Sequence, residues 1–290
     1  MSKHEHHIIP PTYLPILGSV AIFLFLVGFL SWLHKSTYAI YASSTGAFLL
    51  LLTVVLWFGQ VIKENMTIFR DDEQMDRSFR WGMAWFLFTE VALFAAFFGV
   101  LYYTRFISLS ILGGTVGDEA THYLLWPNFS GAWPVLHTPD PSKFLGPKQV
   151  IGPWGLPAIN TLILLVSGVT ITLAHWALIE EKHKLAGFWQ LLTILLGISF
   201  LCLQATEYIE AFTEHGLRLD SGIYGNIFFM LTGLHGFHVT LGTIMLCVIL
   251  VRILLEHFDE HHHFAFEAVA WYWHMVDIVW LMLFVFVYWL

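Results

Sequence analysis

A chain of 290 residues that is 57% hydrophobic and only 12% charged, with 13 Trp and 26 Phe, is too apolar for a water-soluble domain and belongs in a bilayer. Its formal net charge of -8 comes without any basic stripe, which excludes nucleic acid as a partner. The two cysteines, Cys202 and Cys247, stand far apart in apolar runs; this excludes a disulfide framework or a CxxC metal or redox motif and marks both as small core residues.

The N-terminal MSKHEHHIIPPTYL is polar and His-rich. The first apolar run after it is too long for a signal-peptide core, so no cleaved leader is expected. A helix needs about 20 apolar residues to cross the hydrocarbon core. Seven runs qualify, at 13–33, 38–62, 81–107, 156–179, 188–212, 223–255 and 265–290. The expected fold class is an all-α membrane protein with seven transmembrane helices, forming one integral membrane domain over 1–290. Only HKST separates the first two runs, which predicts a tight antiparallel hairpin. The charged segment KENMTIFRDDEQMDRSFR, 63–80, sets this hairpin apart from the other five runs and predicts two helical lobes. The polar, proline-rich stretch 108–153 is expected to lie over the outer surface as loop.

Alternate loops divide the basic residues unequally. Eight fall on the N-terminal side (Lys3, Lys63, Arg70, Arg77, Arg80, Lys182, Lys184, Arg252) and five opposite (Lys35, Arg105, Lys143, Lys148, Arg218). This bias predicts a cytoplasmic N-terminus, and the odd number of spans then puts the C-terminus on the other face.

Within the third run, Glu90 interrupts FLFTEVALFAAFFGV. A carboxylate at bilayer depth costs roughly 2.5 to 3.5 kcal/mol on insertion scales, so such residues face protein, water or a partner. Polar groups on one angular face of a span mark a contact with a neighbour. Asn160, Ser167 and His175 fall within about 80° of one another in the fourth span, and His235, His238 and Gly242 within about 60° in the sixth. Glu267, Trp271, His274 and Asp277 occupy about 120° in the seventh. Gly233, Gly236 and Gly242 are expected to let the sixth span approach a neighbour closely.

Interhelical hydrogen bonding is the plain reading of these groups, with Glu90 as a carboxyl bonded to a neighbouring helix. HGFH at 235–238 and HFDEHHH at 257–263 superficially suggest a membrane di-iron oxygenase. On one continuous helix, however, His235 and His257 stand about 33 Å apart, too far to share one centre. His261 to His263 could meet the N-terminal HEHH around an adventitious metal, and His238 could face His175 or His274 across a haem. Intramembrane carboxylates such as Glu90, Glu207 and Asp277 also suit a proton-coupled transporter, but no inverted repeat accompanies them.

Longer motifs alter the balance. WFGQVIKEN (57–65), RWGMAWFLFTEVALFAAFFGV (80–100), LPAINTLILLVSGVTITLAHWAL (156–178), QATEYIEAF followed by DSGIYGNIFFMLTGLHGFHVTLG (204–242), and FAFEAVAWYWHMVDIVWLMLFVFVYWL (264–290) together resemble subunit III of the haem-copper cytochrome c oxidases. The resemblance covers nearly the whole chain, and the N-terminal hairpin favours the cytochrome c branch over the five-span quinol oxidases. It implies an accessory subunit of an aa3-type oxidase with no catalytic centre and no metal of its own. Haem a, haem a3, CuA and CuB are then expected in subunits I and II, with cytochrome c meeting the complex. It also implies a cleft between the first two helices and the other five that holds membrane phospholipids, and a role in sustaining proton uptake by subunit I.

Residue by residue, Glu90 stands where the family has a glutamate in its third helix and is expected, as a cleft residue, to face the bundle interior or the lipid cleft. Trp57 and Glu64 match cleft positions of the second helix, and Arg252 and His257 match the lipid-headgroup end of the sixth. A guanidinium such as Arg252 can hold a lipid phosphate bidentately; the alternative is snorkelling to the interface. Asn160, His175, Glu207, His235, His238, Glu267, His274 and Asp277 remain interhelical polar residues. The chain departs from the family after Glu64, where NMTIFRDDEQMDRS replaces a Gly-His-His-Thr-like turn, and at Phe58 and Gly59, which replace an aromatic and a basic residue. The long stretch between the third and fourth helices points to a bacterium and its inner membrane.

Overall fold

The computed structural model describes residues 12–67, 72–117, 119–143 and 145–290. Lys3, the HEHH segment and Arg70 lie outside the described residues. Among those described, the regular structure is entirely helical, because a span in hydrocarbon must satisfy its backbone donors and acceptors within itself. Seven helices among the described residues are long and apolar enough to cross a membrane. The chain divides into two compact units, 1–73 and 74–290.

The first unit is a hairpin of α1 (Leu14–Leu33) and α2 (Ala39–Thr67). Pro15 opens α1, where a missing N–H costs nothing. Lys35 takes a positive φ of 55° in the turn, and Ser36 N donates to Ser31 O at 3.0 Å. Gly28 and Gly46 let the two backbones touch: a methyl group on either would run into the backbone of Ser43 or Phe25. Small residues at such crossings give close packing where the hydrophobic effect cannot drive association.

The second unit opens within the first turn of α3 (Glu73–Tyr102), which continues through a wider π-helical turn (Tyr103–Ser108) into α4 (Leu109–Leu112). Hydropathy placed this span from residue 81, yet the helix starts at Glu73. Hydropathy marks where the bilayer begins; Glu, Gln, Met and Arg are good helix formers and carry the helix beyond it. Arg80, assigned above to a loop, is therefore helical and bonds Asp76 at 2.7 Å, one turn earlier.

The connection that follows contains α5 (Glu119–Leu125) and is pinned to its own unit. His122 Nδ1 bonds Leu112 O at 2.9 Å, and Trp133 meets Tyr224 edge-on with centroids 5.3 Å apart. Lys148 N donates to His215 O at 2.9 Å. Around Asp140, the Ser142 hydroxyl and then Lys143 hold the carboxyl below its usual range.

Four helices complete the unit: α6 (Leu156–Ile179), α7 (His183–Thr213), α8 (Gly222–Leu254) and α9 (Phe264–Leu283), the last extended by a π-helical end at Phe284–Trp289. They pack as a ring, α6 on α7, α7 on α8, α8 on α9 and α9 on α6. Trp273 is fully buried in this ring. A Cβ on Gly197 of α7 or Gly242 of α8 would lie 2.9 Å from its indole, so both glycines make room for one ring. The indole N–H donates to Ser167 Oγ at 2.9 Å. Gly236 faces open space and Gly233 has only an ordinary contact at 3.7 Å, so of the three glycines expected to permit close approach only Gly242 does.

Cys202 and Cys247 are both exposed, which corrects the expectation of core residues. In a membrane chain an apolar environment is available outside the bundle as well as within it, so hydropathy alone does not separate the two faces.

Candidate functional site

The polar residues of the second unit gather at three levels of α9. At its N-terminal end, Glu267 accepts from Arg80 Nη1 at 2.6 Å and lies 3.2 Å from His263 Nε2. His175 of α6 stacks on Phe266 at 5.2 Å, with the His263 ring at the same distance edge-on. His175 Nε2 is buried without a partner. His175, His263 and Glu267 each present one ligand-type atom, all within 4.8 Å of one another. Such a donor set suits first-row divalent ions, although Arg80 already engages the same carboxylate. The sequence reading expected no metal site and had no means of assembling this trio, because its members come from α6, the turn before α9 and α9 itself.

At the middle level, Glu90 of α3 meets His238 of α8, with Oε2 2.8 Å from Nε2. The His238 side chain is 5% exposed and that of Glu90 18%. His238 Nδ1 lies 2.7 Å from Leu234 O. A carbonyl only accepts, so Nδ1 carries a hydrogen. The Nε2–Oε2 contact therefore shares one proton: either the ring is neutral and the carboxyl donates, or the ring is cationic and the carboxylate accepts. Both arrangements bury no net charge, which answers why a glutamate is tolerated there. Phe94 flanks the imidazole at 5.0 Å and Tyr272 at 6.3 Å. His235, one turn away, is buried between Phe200 and Trp280, with both ring nitrogens unpartnered.

Near the C-terminal end of α9, Tyr288 donates to Glu207 Oε1 at 2.6 Å, and Gln204 Nε2 lies 3.4 Å from the same oxygen. Asn160 Nδ2 approaches Gln204 Oε1 at 3.5 Å. Gln204 and Tyr288 were not singled out by sequence; Tyr288 sits in an aromatic C-terminus with nothing local to separate it from its neighbours.

The other expected residues are dispersed. Asp277 is buried against Gly168, with His274 Nδ1 3.9 Å away and its own Oδ1 unpartnered. Arg252 is 7% exposed; its guanidinium lies over the Phe258 ring at 4.4 Å and its Nε has no partner. His257 follows α8, with its N–H on Arg252 O at 3.0 Å and its Nδ1 buried and unpartnered. In the first unit, Trp57 is 43% exposed and Glu64 accepts from Gln60 at 2.6 Å.

Comparison with known proteins covers the same residues. The family model described as cytochrome c oxidase subunit III matches residues 4–121 and 139–290. The chain is 38% identical over 286 residues to cytochrome c oxidase subunit 3 of Danio rerio, covering 99% of this chain and 97% of that protein. The same identity, length and coverage hold for the protein of that name from Latimeria chalumnae. Against the one from Prototheca wickerhamii it is 36% identical over 290 residues, with 99% and 98% covered. On a match of this extent, together with seven helices of membrane-spanning length, the chain belongs to the cytochrome c oxidase subunit III family.

Proposed function

We propose that this chain works as the accessory, non-redox subunit III of a proton-pumping aa3-type cytochrome c oxidase, helping to sustain proton uptake by subunit I. In this reading haem a, haem a3, CuA and CuB reside in subunits I and II, and electrons enter from cytochrome c through the complex. The chain contributes helix packing and bound phospholipid. Family membership over nearly the full length carries the reading. The chemistry of the polar groups supports it: His238 spends one nitrogen on Leu234 O and the other on Glu90, leaving none for a haem iron.

Phospholipid is assigned to Trp57 and Glu64 and, separately, to Arg252 and His257, with Glu90 as an internal anchor between α3 and α8. Arg252, at the end of α8 with its Nε unpartnered, has hydrogen-bonding capacity left for a phosphate. The membrane is assigned as a bacterial inner membrane with a cytoplasmic N-terminus. The uneven loop charge supports that orientation, and the long connection, of which residues 122–138 fall outside the family match, supports the bacterial source.

The test is affinity capture in mild detergent followed by an optical spectrum. Haem a bands in the captured complex, absent once the chain is separated, are the expected result. Stoichiometric iron on the separated chain, lost with His261 to His263, would instead indicate a di-iron oxygenase, and solute flux by the chain alone in liposomes a transporter.

A further inference from the structure

A cavity of about 290 Å³ opens where α6 begins and α7 ends, lined by Gly152, Trp154, Pro157, Glu207, Glu210 and His215 among others. Three of these side chains, Glu207, Glu210 and His215, offer ligand-type atoms. Glu207 is 1% exposed, and while its Oε1 is held by Tyr288, its Oε2 has no partner. Glu210 follows on the same helix, within the i, i+3 spacing that makes side chains neighbours. His215 Nδ1 is also buried and unpartnered, and the backbone of His215 is fixed by Lys148 N on its carbonyl at 2.9 Å and by its own N–H on Glu210 O at 3.3 Å. The long connection thus closes one wall of the cavity by bonding to the turn after α7.

A carboxylate oxygen without a partner and shielded from water is costly, and a second carboxyl a turn away adds repulsion. A cation relieves both. Among the described residues only the His175 trio brings three ligand atoms within 4.8 Å of one another, so Glu207, Glu210 and His215 do not form a closed shell. The cavity has room for several waters at roughly 30 Å³ each. Mg²⁺ and similar ions retain several waters and take one or two carboxylates, whereas Ca²⁺ wants six to eight oxygen ligands. We propose that this cavity binds a partly hydrated divalent cation of the Mg²⁺ and Mn²⁺ kind. Glu207 Oε2 ligates it directly, and Glu210 and His215 hold its waters. Bound there, the ion ties the end of α7 to the turn at His215 and, through Tyr288, to the end of α9.

The experiment uses the chain purified in its native complex, stripped with EDTA and titrated with Mn²⁺ while the free-ion EPR signal is followed. Wild type is expected to bind one more Mn²⁺ per chain than Glu207→Gln or Glu210→Gln, with Mg²⁺ competing for the difference. His215→Ala should weaken that site at least tenfold. His175→Ala is the control for the trio at the other end of α6, about 27 Å from Pro157 at the helical rise per residue, and should leave the Glu210-dependent Mn²⁺ in place. Glu210 is exposed, so its substitution tests the site even if Glu207→Gln disturbs folding. Equal Mn²⁺ stoichiometry and affinity in wild type and Glu210→Gln, or a loss that follows His175→Ala instead, would overturn the proposal.

Discussion

Removing the Glu90–His238 contact tests the shared proton directly. The pair joins α3 to α8 across 148 residues of sequence at 2.8 Å, with side chains 18% and 5% exposed, so neither partner has ready access to water. A charge-assisted hydrogen bond is worth about 1.5–3 kcal/mol in water-soluble proteins. Interhelical bonds measured in a membrane protein average about 0.6 and reach about 1.7 kcal/mol, because the unfolded chain in detergent or lipid also finds partners. The pair combines near-complete burial with short geometry, so the coupling expected is about 1 kcal/mol, toward the upper part of that range. The measurement is a double-mutant cycle of Glu90→Ala, His238→Phe and the double variant, read by reversible SDS unfolding of the detergent-solubilised chain. Glu90→Gln discriminates further. Its amide N–H can donate to the bare Nε2 of a neutral ring whose Nδ1–H is on Leu234 O, so it should retain most of the stability lost by Glu90→Ala. Additivity within about 0.3 kcal/mol would refute the coupling, and a Gln variant as unstable as the Ala variant would refute the proton-sharing arrangement.

Other perturbations have defined outcomes. Gly197→Leu or Gly242→Leu drives a side chain into the Trp273 indole and should cost about 1–3 kcal/mol in the same unfolding assay; neutral behaviour would mean that the ring is not wedged between α7 and α8. Arg80→Ala should cost under about 1 kcal/mol, because the Arg80 side chain is 37% exposed and solvent screens its pairs with Asp76 and Glu267; a larger loss would assign Arg80 a structural role that its exposure does not predict. Arg252→Ala should reduce the phospholipid that co-purifies, measured by lipid phosphorus, while haem content of the captured complex is unchanged. Undiminished lipid would remove Arg252 from the binding residues.

The extent to which the site was legible in sequence follows from what each signal measures. Glu90 stood out because one carboxylate in an apolar run is locally anomalous, and His238 because it shares a face with His235 and Gly242. Their meeting did not stand out: α3 and α8 each offer several polar groups, and pairing depends on the depth and rotation of two helices distant in sequence. Arg80 was placed in a loop because its charge was read as the end of a span, whereas the helix runs on from Glu73 and uses that charge on Glu267. Cys202 and Cys247 were assigned to the core because an apolar flank is the same on either face of a membrane helix.

Local composition sufficed for the seven spans and the α1–α2 turn, since the energy of placing a helix in hydrocarbon is largely a sum over its own residues; the family was legible only from longer motifs. Packing decided which polar atoms find partners: that Trp273 fills the space left by Gly197 and Gly242, that Tyr288 bonds Glu207, and that His175, His263 and Glu267 converge. Those outcomes depend on positions a few ångströms apart on separate helices, and hydrogen bonds decay over distances shorter than any pattern along a single helix can specify.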